Sequence, residues 1–200
     1  MKKVFFIVAF LAINLSSFAQ TEKGKIIMSG TSDLGLSSTT TKFEYDGESY
    51  SDDIKSTQFN ITPSLGYFVI DNLALGLSID FESTKQKVSS DSYTSNSLLF
   101  GPFARYYVGS GNIKPYIQGD FLFGNQKSKY DYSGVNMSGE SKNNVSAWDL
   151  GVGLGFFLND FISLDLGLGY GSITMSDGDN SKDKTIISGV ALSGGFAIFF

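Results

Sequence analysis

Charged side chains are rare inside the apolar stretches of this 200-residue chain, and the few that occur there are its candidates for chemistry. Asp80, Arg105, Asp120, Asp149 and Asp165 each stand among glycine, serine and large apolar residues, as do Asp33 and Gln118. A charge in such surroundings has to be paired or solvated. Arg105 is therefore expected to pair with one or more of Asp80, Asp120 and Asp149 in a polar plug. The same carboxylates could instead line a path for protons or ions.

Covalent and acid–base chemistry finds little to work with. The chain has no histidine and no cysteine, which removes the commonest general base, thiolate nucleophiles, thiolate metal sites and disulfides. Carboxylate pairs can serve as acid and base, but nothing in the spacing puts two of them beside a substrate cleft. No catalytic residue, metal site or cofactor site is expected. Asp177, Asp179, Ser181 and Asp183 carry oxygen ligands at alternate positions, as calcium loops do. They lack the turn glycine and closing glutamate of an EF-hand and read as a solvated acidic loop. Gly151, Gly153, Gly155 and Gly167, Gly169, Gly171 follow a period of two with no helix after them, which excludes a phosphate-binding loop.

That period of two is the signature of the elements that must carry the charges. Trp148, Leu150, Val152, Leu154, Phe156 and Leu158 alternate with Asp149, Gly151, Gly153 and Gly155. Ile162, Leu164, Leu166, Leu168 and Tyr170 alternate with Ser163, Asp165, Gly167 and Gly169. Segments from Phe59 to Val69 and from Leu73 to Phe81 repeat the pattern, with weaker ones beginning near Ile26, Leu98, Lys114 and Thr185. Two-faced strands have this periodicity. With 23 glycines and 3 prolines and no helical periodicity, the chain is expected to be all-β, with eight strands. Short turns fall at Asp71-Asn72, Gly109 to Asn112 and Asn159-Asp160, and long polar loops are expected at about 38–54, 85–95, 125–144 and 175–184.

The first 19 residues are of another kind. Lys2 and Lys3 precede an apolar run from Val4 to Leu15, and Ser17 and Ala19 occupy the positions before a cleavage point at Gln20. Residues 1–19 are expected to be a signal peptide and 20–200 the mature domain. The run is shorter than the roughly 20 residues a spanning helix needs, so membrane crossing would fall to the strands. The net charge of −5 becomes −7 without Lys2 and Lys3, and no polybasic run is present, which argues against nucleic acid as a partner.

The polar face decides which way the barrel turns. In a water-soluble sandwich that face would be rich in lysine, glutamate and threonine. Here it is glycine, serine and aspartate, which suit the interior of a narrow eight-stranded barrel with its apolar face outward. Phe59, Phe81, Phe100, Phe123, Trp148 and Tyr170 fall near the long-loop ends, and Tyr67, Tyr106, Phe156 and Phe196 near the short-turn ends. Two aromatic levels of that kind match interfacial girdles. The expected fold is an eight-stranded antiparallel up-and-down transmembrane β-barrel among outer-membrane lipids, its short turns in the periplasm.

Pro63 to Leu77 (PSLGYFVIDNLALGL), its echo Gly155 to Leu168 (GFFLNDFISLDLGL) and the terminal GGFAIFF together resemble the outer-membrane β-barrel domain family common in Bacteroidota, akin in architecture to small OmpA/OmpX-type barrels. The resemblance covers nearly the whole mature chain and implies location in the bacterial outer membrane. It also implies that Phe196, Ile198 and Phe200 form the signal read by the barrel-assembly machinery. The expected function is a structural or surface-interaction role through extracellular loops such as Phe43 to Tyr50 and Tyr130 to Ser141. The alternatives are a narrow channel for ions or small apolar solutes and a soluble periplasmic ligand-binding barrel.

Overall fold

Alternating large and small side chains give strands whose two faces differ, and strands of this kind lower their free energy by pairing until no edge is left. The computed structural model describes residues 20–32, 37–41, 44–45, 48–49, 54–88, 91–132, 137–177 and 184–200. Its strands in chain order are β1 (Ile26–Ser32), β2 (Ser37–Thr41), β3 (Glu44–Tyr45), β4 (Glu48–Ser49), β5 (Ile54–Ile70), β6 (Leu73–Val88), β7 (Asp91–Tyr107), β8 (Ile113–Tyr132), β9 (Met137–Phe157), β10 (Ile162–Asp177) and β11 (Lys184–Phe199). Neighbours from β5 to β11 pair antiparallel in sequence order, and β1 pairs with both β11 and β5. Since β2 also lies on β5, β1 and β2 make up one stave of a closed eight-stave barrel. β3 and β4 form a separate two-stranded ribbon.

The turns use the residues that their geometry demands. Asn72 ends the β5–β6 turn at φ 68°, where an asparagine is tolerated far better than a branched residue, and Gly109 takes φ 86° between β7 and β8.

The large apolar side chains point outward. Leu77, Leu98, Phe100, Leu150, Val152, Leu166, Val190 and Leu192 are all exposed, whereas Ser64, Ser78, Arg105, Asp120, Ser163 and Asp165 are buried inside the ring. Rings on neighbouring strands lie at matching heights. Phe100 meets Phe123 with centroids 4.6 Å apart, Trp148 meets Tyr170 at 6.0 Å, and Phe59 meets Phe81 at 6.2 Å. Near the other end Tyr67, Tyr106 and Phe196 are exposed and Phe156 is half-buried.

The hairpins are longer than the hydrophobic pattern indicates. Residues expected in loops at 85–95 and 125–144 continue as paired strands, with Lys87 opposite Ser92 and Tyr132 opposite Met137. β10 and β11 likewise remain paired out to Ser176 and Lys184. Apolar alternation stops where hydrocarbon stops, but the hydrogen-bond ladder does not need it, and serine, threonine, asparagine and lysine extend the ribbons beyond. Asp33, Asp179, Ser181, Asp183, Phe43, Asp46, Gly47 and Tyr50 of the loop from Phe43 to Tyr50, and residues 1–19 lie outside the described residues.

Candidate functional site

The interior is stratified along the barrel axis, and each layer follows from residues at alternate positions of successive strands. At the short-turn end the inward positions carry Ile27, Phe68, Phe103, Tyr107, Tyr116, Phe157 and Phe199 in one buried cluster. Tyr107 is its hub, with ring centroids 5.7 Å from Tyr116, 6.0 Å from Phe157 and 6.2 Å from both Phe68 and Phe199. Lys114 lies buried beside it with its ammonium 4.8 Å from the Phe157 ring centroid, and donates to Thr21 Oγ1 at 3.0 Å. Thr21 in turn donates to Asn72 Oδ1 at 2.6 Å, so the segment preceding β1 is tied across this mouth.

One layer further in sits Arg105, 1% exposed. Its Nη1 donates to Asp165 Oδ2 at 2.6 Å and to the Tyr107 hydroxyl at 3.1 Å, and its Nε donates to Gln118 Oε1. The guanidinium carbon stands 4.5 Å from the Tyr116 ring centroid, a cation–π contact. Ser163 Oγ donates to the second Asp165 oxygen at 2.8 Å. On the other side Gln118 Nε2 donates to Asp120 Oδ2 at 2.7 Å, Ser78 Oγ donates to Asp120 Oδ1 at 2.9 Å, and Ser64 bonds Ser78 at 2.8 Å. An unbroken polar string therefore crosses the lumen from β10 through β7, β8 and β6 to β5.

This geometry corrects the expected pairing. The ion partner of Arg105 is Asp165 on β10, not Asp80, Asp120 or Asp149. Asp120 reaches Arg105 only through Gln118. Asp80 is half-buried and accepts from Thr62 Oγ1 at 2.8 Å and Asn60 Nδ2 at 3.0 Å. Asp149 faces Asp120 in the β8–β9 register and is exposed. The reason is reach: β7 and β10 are not neighbours, so their pairing spans the lumen, a relation that alternation along one strand does not encode.

Sequence reading also missed the aromatic layer, although a signal was present. Tyr67-Phe68, Tyr106-Tyr107, Phe156-Phe157 and Phe199-Phe200 are adjacent doublets near the short-turn ends. In a strand, adjacent rings face opposite ways, so one of each pair must enter the lumen. Phe68, Tyr107, Phe157 and Phe199 are the inward members. At the carboxyl end Phe196 and Phe200 are exposed on the outer face, with Ile198 half-buried between them. Phe200 and Ile26 exchange backbone hydrogen bonds of 3.0 and 3.1 Å, which help to close the ring.

A family model described as the outer membrane protein beta-barrel domain matches residues 5–196. Among curated proteins none matches. Three solved structures with low identity are similar in outline. Neisserial surface protein A shares 18% identity at a TM-score of 0.48, covering 88% of this chain and 96% of its own. The N-terminal β-barrel domain of Pseudomonas aeruginosa OprF shares 13% at 0.42, covering 89% and 98%. The outer membrane protease OmpT of Escherichia coli shares 8% at 0.45, covering 88% and 79%. With the closed eight-stave ring, its apolar exterior and the family match over nearly its full length, this chain is a bacterial outer-membrane protein that belongs to the outer membrane protein beta-barrel domain family.

Proposed function

We propose that the protein is a closed, non-catalytic barrel whose working surfaces are the ribbons and loops it raises outside the membrane. The observation that carries this reading is the sealed lumen: the Tyr107-centred aromatic layer and the Arg105–Asp165 layer above it are both buried and side-chain filled. A conducting barrel needs a continuous aqueous path, and here polar side chains bond each other across the ring. β8 and β9, at 20 and 21 residues, are about twice the 9–11 residues that a tilted strand needs to cross a bilayer. The surplus length stands outside as the paired outer ends of these two strands. The absence of histidine supports the non-catalytic part of the reading.

Planar-bilayer recordings of the purified chain are expected to show no discrete conductance steps. Steady unitary currents would replace this reading with that of a narrow channel. Shortening the β8–β9 hairpin by removing Tyr130–Gly139 is expected to change adhesion of whole cells while leaving heat-modifiable gel migration intact. Unchanged adhesion across all hairpin deletions would count against a surface role.

Export by residues 1–19 and recognition of Phe196, Ile198 and Phe200 by the assembly machinery belong to the same proposal. Phe200→Ala is expected to lower the amount of barrel inserted in cells several-fold, while the purified variant refolds in detergent as well as the parent. The exposed Phe200 ring supports this, since its loss removes little packing from the finished barrel. Equal losses in cells and in detergent would show a structural role only.

A further inference from the structure

The outer face of β6 to β9 turns from apolar to polar and then to basic towards the long-loop end. In one row of the register stand Phe81, Leu98, Asn125 and Asn144. One two-residue step outward, about 6.6 Å of strand, the row is Ser83, Asn96, Lys127 and Lys142. The next row holds Lys85, Thr94, Lys129 and Glu140. Phe81, Phe123 and Trp148 belong to the aromatic level at the outer hydrocarbon boundary, and Lys127 and Lys142 lie two and three two-residue steps beyond it on their own strands, on the headgroup side.

Lys127 and Lys142 are directly opposite on adjacent strands and both are exposed. Side chains so placed have Cβ atoms about 5 Å apart, and like charges in that position destabilise the sheet. Lys129 is paired with Glu140 at 3.3 Å, but among the described residues no ion pair neutralises Lys127 or Lys142. On this outer face Lys85, Lys87, Lys127, Lys129 and Lys142 outnumber Asp131 and Glu140, in a chain whose net charge is −5. On β10 the outward Ser172, Thr174 and Ser176, opposite Trp148, Ser146 and Asn144, are neutral.

A groove of about 790 Å³ runs over this face next to Lys127 and Lys142, its lining including Ser83, Lys85, Thr94, Asn96 and Lys129 as well as Asp131 and Glu140. Ser83 Oγ donates to Asn96 Oδ1 at 2.8 Å, which uses the acceptor end of that amide and leaves its NH₂ in the row of Lys127. Two ammonium groups on the outer side of the aromatic level, beside a groove that carries hydroxyl and amide groups, match an anion carried on a sugar. We propose that this face binds a phosphorylated glycolipid of the outer leaflet, with Lys127 and Lys142 seating its phosphate and the Ser83–Asn96 side of the groove receiving sugar hydroxyls. Long, flexible lysine side chains reach such a group from their row beyond Asn125 and Asn144. Attraction of basic residues to an anionic headgroup layer supplies the affinity. The inference is independent of what the loops recognise.

The test uses the mature chain reconstituted in phosphatidylcholine nanodiscs containing a minor fraction of bisphosphorylated lipid A, of its dephosphorylated form, or of phosphatidylglycerol. Lipid retained on the protein is read by native mass spectrometry. The parent is expected to retain bisphosphorylated lipid A in preference to the other two. Lys127→Gln with Lys142→Gln is expected to lower that retention on the order of tenfold. Lys184→Gln, an exposed lysine on β11, is expected to leave it unchanged, and heat-modifiable migration verifies that each variant is folded. Undiminished retention by the double variant would overturn the proposal. So would equal retention of the dephosphorylated lipid or of phosphatidylglycerol, or an equal loss in Lys184→Gln.

Discussion

Replacing Asp165 by alanine is expected to destabilise the barrel by about 3 to 5 kcal/mol, the usual consequence of leaving a buried partner charge uncompensated. Asp165 is 2% exposed and Arg105 1%, so no solvent stands ready to take over. The guanidinium would keep Gln118 and Tyr107 as neutral acceptors and the ring of Tyr116, none of which cancels its charge. Arg105→Met is expected to cost as much, since it strands the Asp165 carboxylate with Ser163 alone among the hydrogen-bond donors described for it. The double variant Arg105→Met/Asp165→Leu is expected to lose much less than the sum, because well-packed apolar residues can replace a buried pair at little net cost. Guanidinium titration followed by Trp148 fluorescence in detergent measures all three. Additive losses, or single losses below about 1 kcal/mol, would show that the pair is not coupled in this way.

Gly101→Ala is the second large effect. Gly101 faces inward on β7, and a Cβ there would run into the backbone carbonyl oxygen of Phe121 on β8. A flexible side chain can swing aside, but a carbonyl within a hydrogen-bonded ladder moves only if the strands separate. The cost is expected at or above the top of the roughly 1–3 kcal/mol range for overpacking, with a corresponding loss of heat-modifiable barrel on gels. Gly189→Ala provides the contrast. No atom lies within 4 Å of a Cβ built at Gly189 and its φ is ordinary, so alanine there is expected to be neutral or to stabilise by roughly 0.5–1 kcal/mol through reduced backbone freedom. If the two variants behave alike, the close approach of the β8 backbone at Gly101 is not what selects glycine.

The architecture was legible because one physical rule governs the outer surface. Hydrocarbon favours apolar side chains at outward positions, and Leu150, Val152, Leu154 and most of their counterparts provide them, with Gly119 and Gly194 as gaps. Interior positions obey no such rule, since a narrow lumen accepts whatever fills it. Asp165 and Arg105 were recognisable as inward charges, yet their pairing depends on how two non-adjacent strands face across the ring. Asp80 and Asp120 are as plausible from spacing alone, and here they bond Thr62, Asn60, Ser78 and Gln118 instead. The aromatic layer was hidden because Phe157 and Tyr107 stand beside outward rings and read as part of the girdle. The hairpin lengths were hidden because the sequence loses its apolar period at Phe81 and Phe123, long before the strands end.

The closing seam has a consequence of its own. Adjacent strands from β5 through β11 are joined by hairpins, whereas β1 meets β11 only through residues at opposite ends of the domain, from Ile27 with Phe199 to Ser32 with Gly194. Hairpins between sequence neighbours form quickly, while contacts across a long loop are delayed by the entropy of bringing its ends together. Zipping is thus ordered in time, with the first and last strands meeting late. Until they meet, the growing sheet carries two raw margins able to recruit other chains. The safety of this barrel during biogenesis rests on how promptly that last suture is made.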